Sequence, residues 1–223
     1  MKPIVLAPPR PSTTPARRQF LGRLGAGSAA FCAAFGSASP AQAQTPVPTP
    51  RRHPIDDWMD ALPSAHRMVF DAHSSDGLDD VLAYASNVFL ANRTGYGVDS
   101  HDVGVIVVMR HNAAPYAFTD AMWAKYGGVF ASALKLGDGR PSTNPANRDK
   151  TIDDLVAQGA HFAVCQMAAR RFAGMAAHAN NAGVDTVLEE LSRNLINNAH
   201  LTPAGIVAVG RAQERGFAFG YAG

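Results

Sequence analysis

The 223-residue chain carries 20 Lys and Arg side chains against 18 Asp and Glu, and 47% of its residues are hydrophobic. Five of the basic residues and none of the acidic ones lie in the first 43 positions, so the rest of the chain has 15 basic and 18 acidic side chains. This slight acidic excess argues against phosphate-backbone binding, which depends on clustered Lys and Arg, and we expect no nucleic-acid partner.

The first 43 residues have the layout of an export signal. The pair Arg17-Arg18 precedes an apolar run over 21–35, and Ala41-Gln42-Ala43 supplies a small-x-small cleavage pattern. A basic segment, a short apolar segment and a small-residue segment predict a signal peptide, and the arginine pair indicates twin-arginine export to the periplasm. The alternative is an uncleaved N-terminal anchor, although the apolar run is short for a membrane span.

Residues 44–63 are rich in proline and predict an extended linker, with a short helical turn over 55–59 that lays Trp58 on the folded domain. The domain itself is expected over 64–223. The 180 residues that follow the predicted signal suffice for one domain without disulfides. None of its apolar stretches approaches the roughly 20 residues of a membrane helix, so we expect no span in the mature chain.

The first half of the domain alternates strand and helix patterns. An apolar strand over 67–72 is followed by a helix over 78–93, whose apolar residues recur with a period of 3.6. A β-branched run over 102–109 predicts the next strand, and a helix is expected over 117–126. The Gly- and Pro-rich segment 137–150 is long for a connection inside a domain, which is typical of lids and partner-binding loops.

The second half repeats the alternation. A helix over 151–159, with Thr151 as its cap and Gly159 at its end, leads into an apolar strand that ends at Cys165. Helices over 170–180 and 185–195, a strand over 198–201, a helix that begins at Thr202-Pro203 and a strand over 217–221 complete the chain. This alternation predicts a three-layer α/β/α sandwich around a mostly parallel sheet.

Cys165 is the only cysteine that remains after the predicted signal is removed, because Cys32 lies within the signal. It stands at the carboxyl end of a strand, where ligands gather in open α/β sheets. The following helix, with Arg170 and Arg171, could stabilise its thiolate. The alternative is an inert core cysteine, since unpaired cysteines are among the most buried residues.

His111 closes the neighbouring strand and is the second candidate catalytic residue. At that position it could accept a proton or lower the pKa of the thiol. The alternative is a solvated loop histidine. Arg110, Asn112 and Arg170 are weaker candidates for stabilising an anion at the same edge.

No metal or cofactor is expected from the motifs. His161 and Cys165 share a strand face but lie about 13 Å apart at 3.3 Å per residue, too far for one metal ion. The histidines at 73, 178 and 200 show no ligand spacing, and no glycine-rich phosphate loop occurs after residue 43. The segment 73–77 could bind an anion at a helix N-terminus, but we favour a plain helix cap and turn, which needs no ligand.

Three segments resemble the DsrE/DsrF-like proteins of intracellular sulfur oxidation. The first, 155–165, leads from a helix through Gly159 to Cys165. The second, 201–209, contains Pro203-Ala204-Gly205, and the third is 213–219. The resemblance spans roughly residues 66–221. It implies a five-stranded parallel sheet and homo-oligomers such as trimers or hexamers. It also implies that the cysteine at position 165 carries sulfur between donor and acceptor proteins.

The rival hypothesis is a non-enzymatic binding module. In it the sheet edge and the loop 137–150 hold a small ligand or a partner protein, and Cys165 is structural.

Overall fold

The computed structural model describes residues 49–63, 65–137 and 139–222. The predicted signal peptide and residues 44–48 of the predicted linker lie outside these ranges. Thr49–Gly223 form one compact unit. Within the described ranges, no helix has both the length and the apolar character that crossing a membrane requires.

Within the described ranges, the strands are β1 His66–Ala72, β2 Val103–Met109, β3 His161–Cys165, β4 Ala199–Thr202 and β5 Ala218–Ala222. These five strands form one sheet in the order β4-β3-β2-β1-β5, and every neighbouring pair is parallel. All seven residues of β2 are buried, as expected of a central strand that is covered on both faces. The predicted α/β class is confirmed, and the sheet is wholly parallel.

Six α-helices connect and cover the strands. They are α1 Ser75–Ala91, α2 Asp120–Leu134, α3 Thr151–Ala157, α4 Gln166–Ala179, α5 Val184–Arg193 and α6 Gly205–Gln213. Shorter 3-10 segments occupy Pro54–Met59, Ser100–Asp102, His111–Ala117 and Pro145–Lys150, and a π-helical turn occupies Asn92–Tyr96.

The two faces of the sheet are covered by unequal numbers of helices. On one face, Val105, Val107, Phe162 and Val164 belong to the large core formed with α1 to α5. On the other, residues such as Ile106 and Ala163 belong to a smaller cluster with α6, Phe217 and the segment 58–62. The sandwich therefore has three layers, and the layer formed by α6 is thin.

Two helices begin where the sequence patterns did not place them. Thr202 was expected to cap α6, but it lies in β4 and its hydroxyl donates to the carbonyl of Val164 at 3.2 Å. Helix α6 therefore begins two residues later than expected, at Gly205, with Ala204 at its cap position. Helix α4 begins at Gln166, directly after Cys165, instead of at residue 170.

Two further boundaries differ. The helix expected over 117–126 runs from Asp120 to Leu134, because the 3-10 segment His111–Ala117, which contains Pro115, precedes it. Thr151 does not cap α3; the side-chain oxygen of Asn147 accepts from the amides of Ile152 and Asp153 instead.

The loop 137–150 packs on α2. Asn144 is buried and its amide donates to the carbonyls of Tyr116 at 2.7 Å and Phe118 at 3.2 Å. A Cβ at Gly127 would lie 2.0 Å from the carbonyl oxygen of Pro141, so only glycine permits this close approach.

The end of the predicted linker packs on the thin face of the sheet. Trp58 stacks on His200 with ring centroids 4.0 Å apart, as the expected helical turn over 55–59 would allow. The rings of His161 and His200 are parallel within 5°, and Nδ1 of His161 lies 2.9 Å from Nε2 of His200. A neutral pair satisfies this hydrogen bond, because one nitrogen donates while the other accepts.

Burial, and to a smaller extent His161, lowers the pKa of His200 to about 4. An unfolded histidine titrates near pH 6.5, so between about pH 6.5 and 4 the unfolded chain binds a proton that the folded chain does not. The stability due to neutral His200 is therefore present above about pH 6.5 and lost as the pH falls towards 4.

We predict that the free energy of unfolding falls less in His200→Gln than in the parent between about pH 6.5 and 4. The expected difference is about 1–2 kcal/mol, a figure reduced for partial solvent screening. Urea unfolding at a series of pH values measures it. His178→Gln, at an exposed position on α4, is the control and should keep the parent slope. An unchanged slope in His200→Gln would contradict the assignment.

Candidate functional site

The carboxyl ends of β2 and β3 lie side by side. Met109 is in register with Val164, and Cys165 follows next, opposite Thr202 of β4. Arg110 and His111 continue the chain beyond β2. In a parallel sheet these ends share one edge, so the residues that follow them meet.

The structure brings both sequence-predicted site residues, Cys165 and His111, to the wall of one cavity of about 380 Å³, here called the Cys165 cavity. Its wall comes from the residues after β2, from the end of β3 with the start of α4, and from the start of α6. These are Arg110 and His111; Cys165, Met167, Ala168 and Arg171; and Ala204, Gly205 and Ile206.

The thiol of Cys165 is free and recessed. The residue is 7% exposed and packs with Ala114 and Ala168. Because side chains alternate along a strand, Cys165 shares the α6 side of the sheet with Ala163. The thiol therefore lies under the thin layer, where the cavity gives access to it.

Arg110 is fixed by a buried carboxylate. Asp71, in β1, is 2% exposed at its side chain and accepts from Arg110 Nε at 2.8 Å and from Nη2 at 2.9 Å. Hydrogen bonding to Asp71 raises the pKa of Arg110. This two-pronged geometry orients the guanidinium as well as neutralising it.

His111 is a neutral hydrogen-bond donor towards the cavity. Burial, followed by the charges of Arg110 and Arg171, lowers the pKa of His111. Arg110 Nη1 lies 3.3 Å from His111 Nδ1, and a guanidinium only donates, so Nδ1 accepts and the proton sits on Nε2. The lowered pKa favours the uncharged ring near neutral pH, and the role of His111 as a proton acceptor or as a group that lowers the thiol pKa stays a prediction.

His111 also adopts a strained backbone, with φ of 50° in the left-handed region that favours glycine. Such strain persists only where the surroundings fix it, and it is often found at functional sites. On its other side, the His111 ring meets His73 edge-on at 6.3 Å between centroids, and His73 Nδ1 lies 3.1 Å from the hydroxyl of Tyr221.

Arg171, and not Arg170, supplies the second cation of the cavity. Arg171 donates to the side-chain oxygen of Asn112 at 2.8 Å, which directs it towards the end of β2. Arg170 instead forms an ion pair with Asp185 at 2.9 Å and does not line the cavity. Over residues 49–222 as described, no carboxylate lies within ion-pairing distance of Arg171.

The cavity therefore has a net positive wall. Asp71 cancels the charge of Arg110, His111 is neutral, and the charge of Arg171 is left over. Helices α4 and α6 both begin at this wall, and neither has a side-chain cap, so the partial positive charge of their first turns adds to it. A small anion is stabilised in such a site.

Gly205 lets α6 close the cavity. A Cβ at this position would lie 2.8 Å from Cβ of Arg110 and 3.2 Å from Cγ1 of Val108. Any larger residue would push the start of α6 away from the end of β2.

Other predicted features lie apart from the cavity. None of the described residues of the segment 137–150 lines it, and a role for this loop as a lid or a partner-binding segment stays a prediction. A larger groove of about 650 Å³, between α2 and the loop at Pro141, is lined by neither cysteine nor histidine. Ser74 accepts from the amide of Gly77 at 2.9 Å, which is the plain helix cap. In the described part of the chain, no three His, Cys, Asp or Glu side chains cluster as metal ligands.

Sequence analysis missed Asp71, Tyr221 and the packing role of Gly205. A carboxylate in the apolar strand 67–72 was the available signal for Asp71, since a buried charge requires a partner. Tyr221 and Gly205 left no signal of comparable strength, because their contacts join distant parts of the chain.

Comparison with known proteins gives little guidance on function. No family model matches the chain, and no curated protein matches it. Among solved structures, the chain is similar to a protein of unknown function from Methanobacterium thermoautotrophicum, with 20% sequence identity and a TM-score of 0.38. The match covers 70% of this chain and 98% of the other.

We predict that Gly205→Ala lowers the free energy of unfolding by about 1–3 kcal/mol, because the new methyl group overpacks against Arg110 and Val108. Gly210→Ala, on the same helix and with open space around it, should raise stability by up to about 1 kcal/mol. Urea titrations of both variants test this, and equal stabilities would refute the close contact.

We predict that Asp71→Asn destabilises the fold by about 2–4 kcal/mol, because it leaves the half-buried charge of Arg110 without its partner. Asp80→Asn removes an exposed carboxylate from α1 and should change stability little. Denaturant unfolding compares the two, and a small loss in Asp71→Asn would show that the pair is dispensable.

Proposed function

We propose that the chain is a DsrE-like sulfur-handling protein in which Cys165 holds sulfane sulfur as a persulfide and passes it to an acceptor. The observation that supports this most is a free thiol on the wall of a cavity with one uncompensated cation. A persulfide is an anion near neutral pH, and Arg171 with the first turns of α4 and α6 would stabilise it. The resemblance to sulfur-carrying proteins points the same way.

The chemistry requires no cofactor. The Cys165 thiolate attacks the outer sulfur of a donor R–S–S⁻, a new S–S bond forms to Cys165, and the old S–S bond breaks to release R–S⁻ with its electron pair. An acceptor thiolate then removes the outer sulfur by the same step. In this scheme Arg171 balances the charge of the persulfide, and His111 donates from Nε2 to its terminal sulfur.

Export and assembly complete the proposal. The twin-arginine signal predicted over residues 1–43 would deliver the folded protein to the periplasm. We further propose a homo-oligomer, with a donor or acceptor protein as a transient partner. Support comes from four large exposed side chains on or near the cavity side of the sheet: Met167, Ile206, Phe219 and Tyr221. Exposed apolar surface of this kind marks interaction sites.

We predict that the protein incubated with hydropolysulfide gains one sulfur atom, about 32 Da, on Cys165, and that a thiol reductant removes it. Intact-mass spectrometry measures the gain. Cys165→Ser should show none, and its circular dichroism should match the parent because the two side chains are similar in size. A parent protein that gains no sulfur, or a serine variant that gains as much, would rule out the carrier role.

One observation favours the alternative, a binding module in which Cys165 is structural. The residue is 7% exposed, a value also found for inert core cysteines. In that case the cavity would hold a small anion without covalent chemistry, and Cys165→Ser would bind it as well as the parent.

A further inference from the structure

The wall of the Cys165 cavity is divided between apolar and cationic parts. Cys165 lies in its recessed part with Ala168, Ala204 and Gly205, whereas Arg171 is exposed and its side chain reaches the outer part. A ligand that fits both parts has an uncharged or soft end and a charged end.

The position of Arg171 allows it to hold the charged end of a molecule whose other end touches the thiol. Cys165 caps α4 and Arg171 lies in the second turn of that helix, so their Cα atoms are about 9 Å apart at 1.5 Å per residue. Helical side chains lean towards the N-terminus. The hydrogen bond from Arg171 to Asn112 places the guanidinium beside the segment that follows β2, on the wall of the same cavity as Cys165.

The recessed thiol also limits the size of the donor. A cavity of about 380 Å³ with a 7% exposed cysteine on its wall has the size of a small-molecule site. The surplus charge of Arg171 then selects for anions among small molecules.

We propose that the sulfur donor of this site is a small inorganic sulfane-sulfur oxyanion of the thiosulfate type, whose oxygen atoms bind Arg171 while its outer sulfur faces Cys165. This inference rests on the proposed function and names the class of donor. Thiosulfate joins a soft, weakly hydrated sulfur to a sulfonate group, which matches the two parts of the wall.

The transfer balances without an oxidant. The Cys165 thiolate attacks the outer sulfur of thiosulfate, the S–S bond to Cys165 forms, and the bond between the two sulfurs of thiosulfate breaks. Sulfite leaves with the electron pair of that bond, carrying two negative charges, and the persulfide on Cys165 keeps one. Each persulfide formed therefore releases one sulfite.

The experiment compares two neighbouring arginines in the full chain. Arg171→Gln removes the cation of the cavity, and Arg170→Gln removes an equally exposed arginine that pairs with Asp185 outside it. Each variant and the parent are incubated with thiosulfate, and in parallel with hydropolysulfide, while intact mass and free sulfite are followed.

We expect the parent to form one persulfide and one sulfite per chain with thiosulfate. Arg171→Gln should react about tenfold more slowly, as expected when one charged hydrogen bond to the donor is lost, and Arg170→Gln at the parent rate. Inorganic sulfate, which has the oxyanion but no sulfane sulfur, should slow the parent by competition.

The outcomes separate this inference from the function on which it rests. Loading by hydropolysulfide without loading by thiosulfate would overturn the inference and leave the carrier function standing. Equal rates for the two arginine variants, together with no competition by sulfate, would refute the role of Arg171. Loading by neither donor would overturn both.

Discussion

The ion pair between Asp71 and Arg110 is the interaction on which the site depends. It joins a buried carboxylate in β1 to the first residue beyond β2, at the edge where Cys165 ends β3. The same guanidinium donates to His111 and so sets the protonation of the imidazole, while Cβ of Arg110 lies beneath Gly205 and limits the approach of α6. Without Asp71, the half-buried charge of Arg110 would be unpaired, and the local packing would not offset the cost of its desolvation.

The unequal cover of the sheet gives this edge its chemistry. Five helices fill one face, while α6 and the segment 59–62 cover the other. Cys165 points to the thin side, between two helix starts that lack side-chain caps. Cysteine and alanine are poor capping residues, so these two cap positions leave amide groups available to an anion. A stronger cap at either position would stabilise the helix and weaken the anion site.

Local patterns predicted most of the fold but only part of the site. The sequence patterns placed all five strands, and the signal was strongest in the segment 103–109, because that strand is buried on both faces. Helix starts were less predictable: Thr202 resembles a cap, yet its pairing with Val164 holds it in β4. Cys165 and His111 were predicted because each ends a strand. The neutrality of His111 and the exclusion of Arg170 depend on Arg110 and Asp185, which are tertiary contacts.

The central claim is that solvent reaches the Cys165 thiol in the native protein through the cavity beside α6. The most direct test is the rate of alkylation by iodoacetamide under native conditions, compared with the rate in denaturant and with the rate of global unfolding. The account predicts labelling of the folded protein that is faster than unfolding and is slowed by filling the cavity with Ala168→Leu. Labelling that occurs only as fast as the protein unfolds would show a sealed thiol and contradict the account.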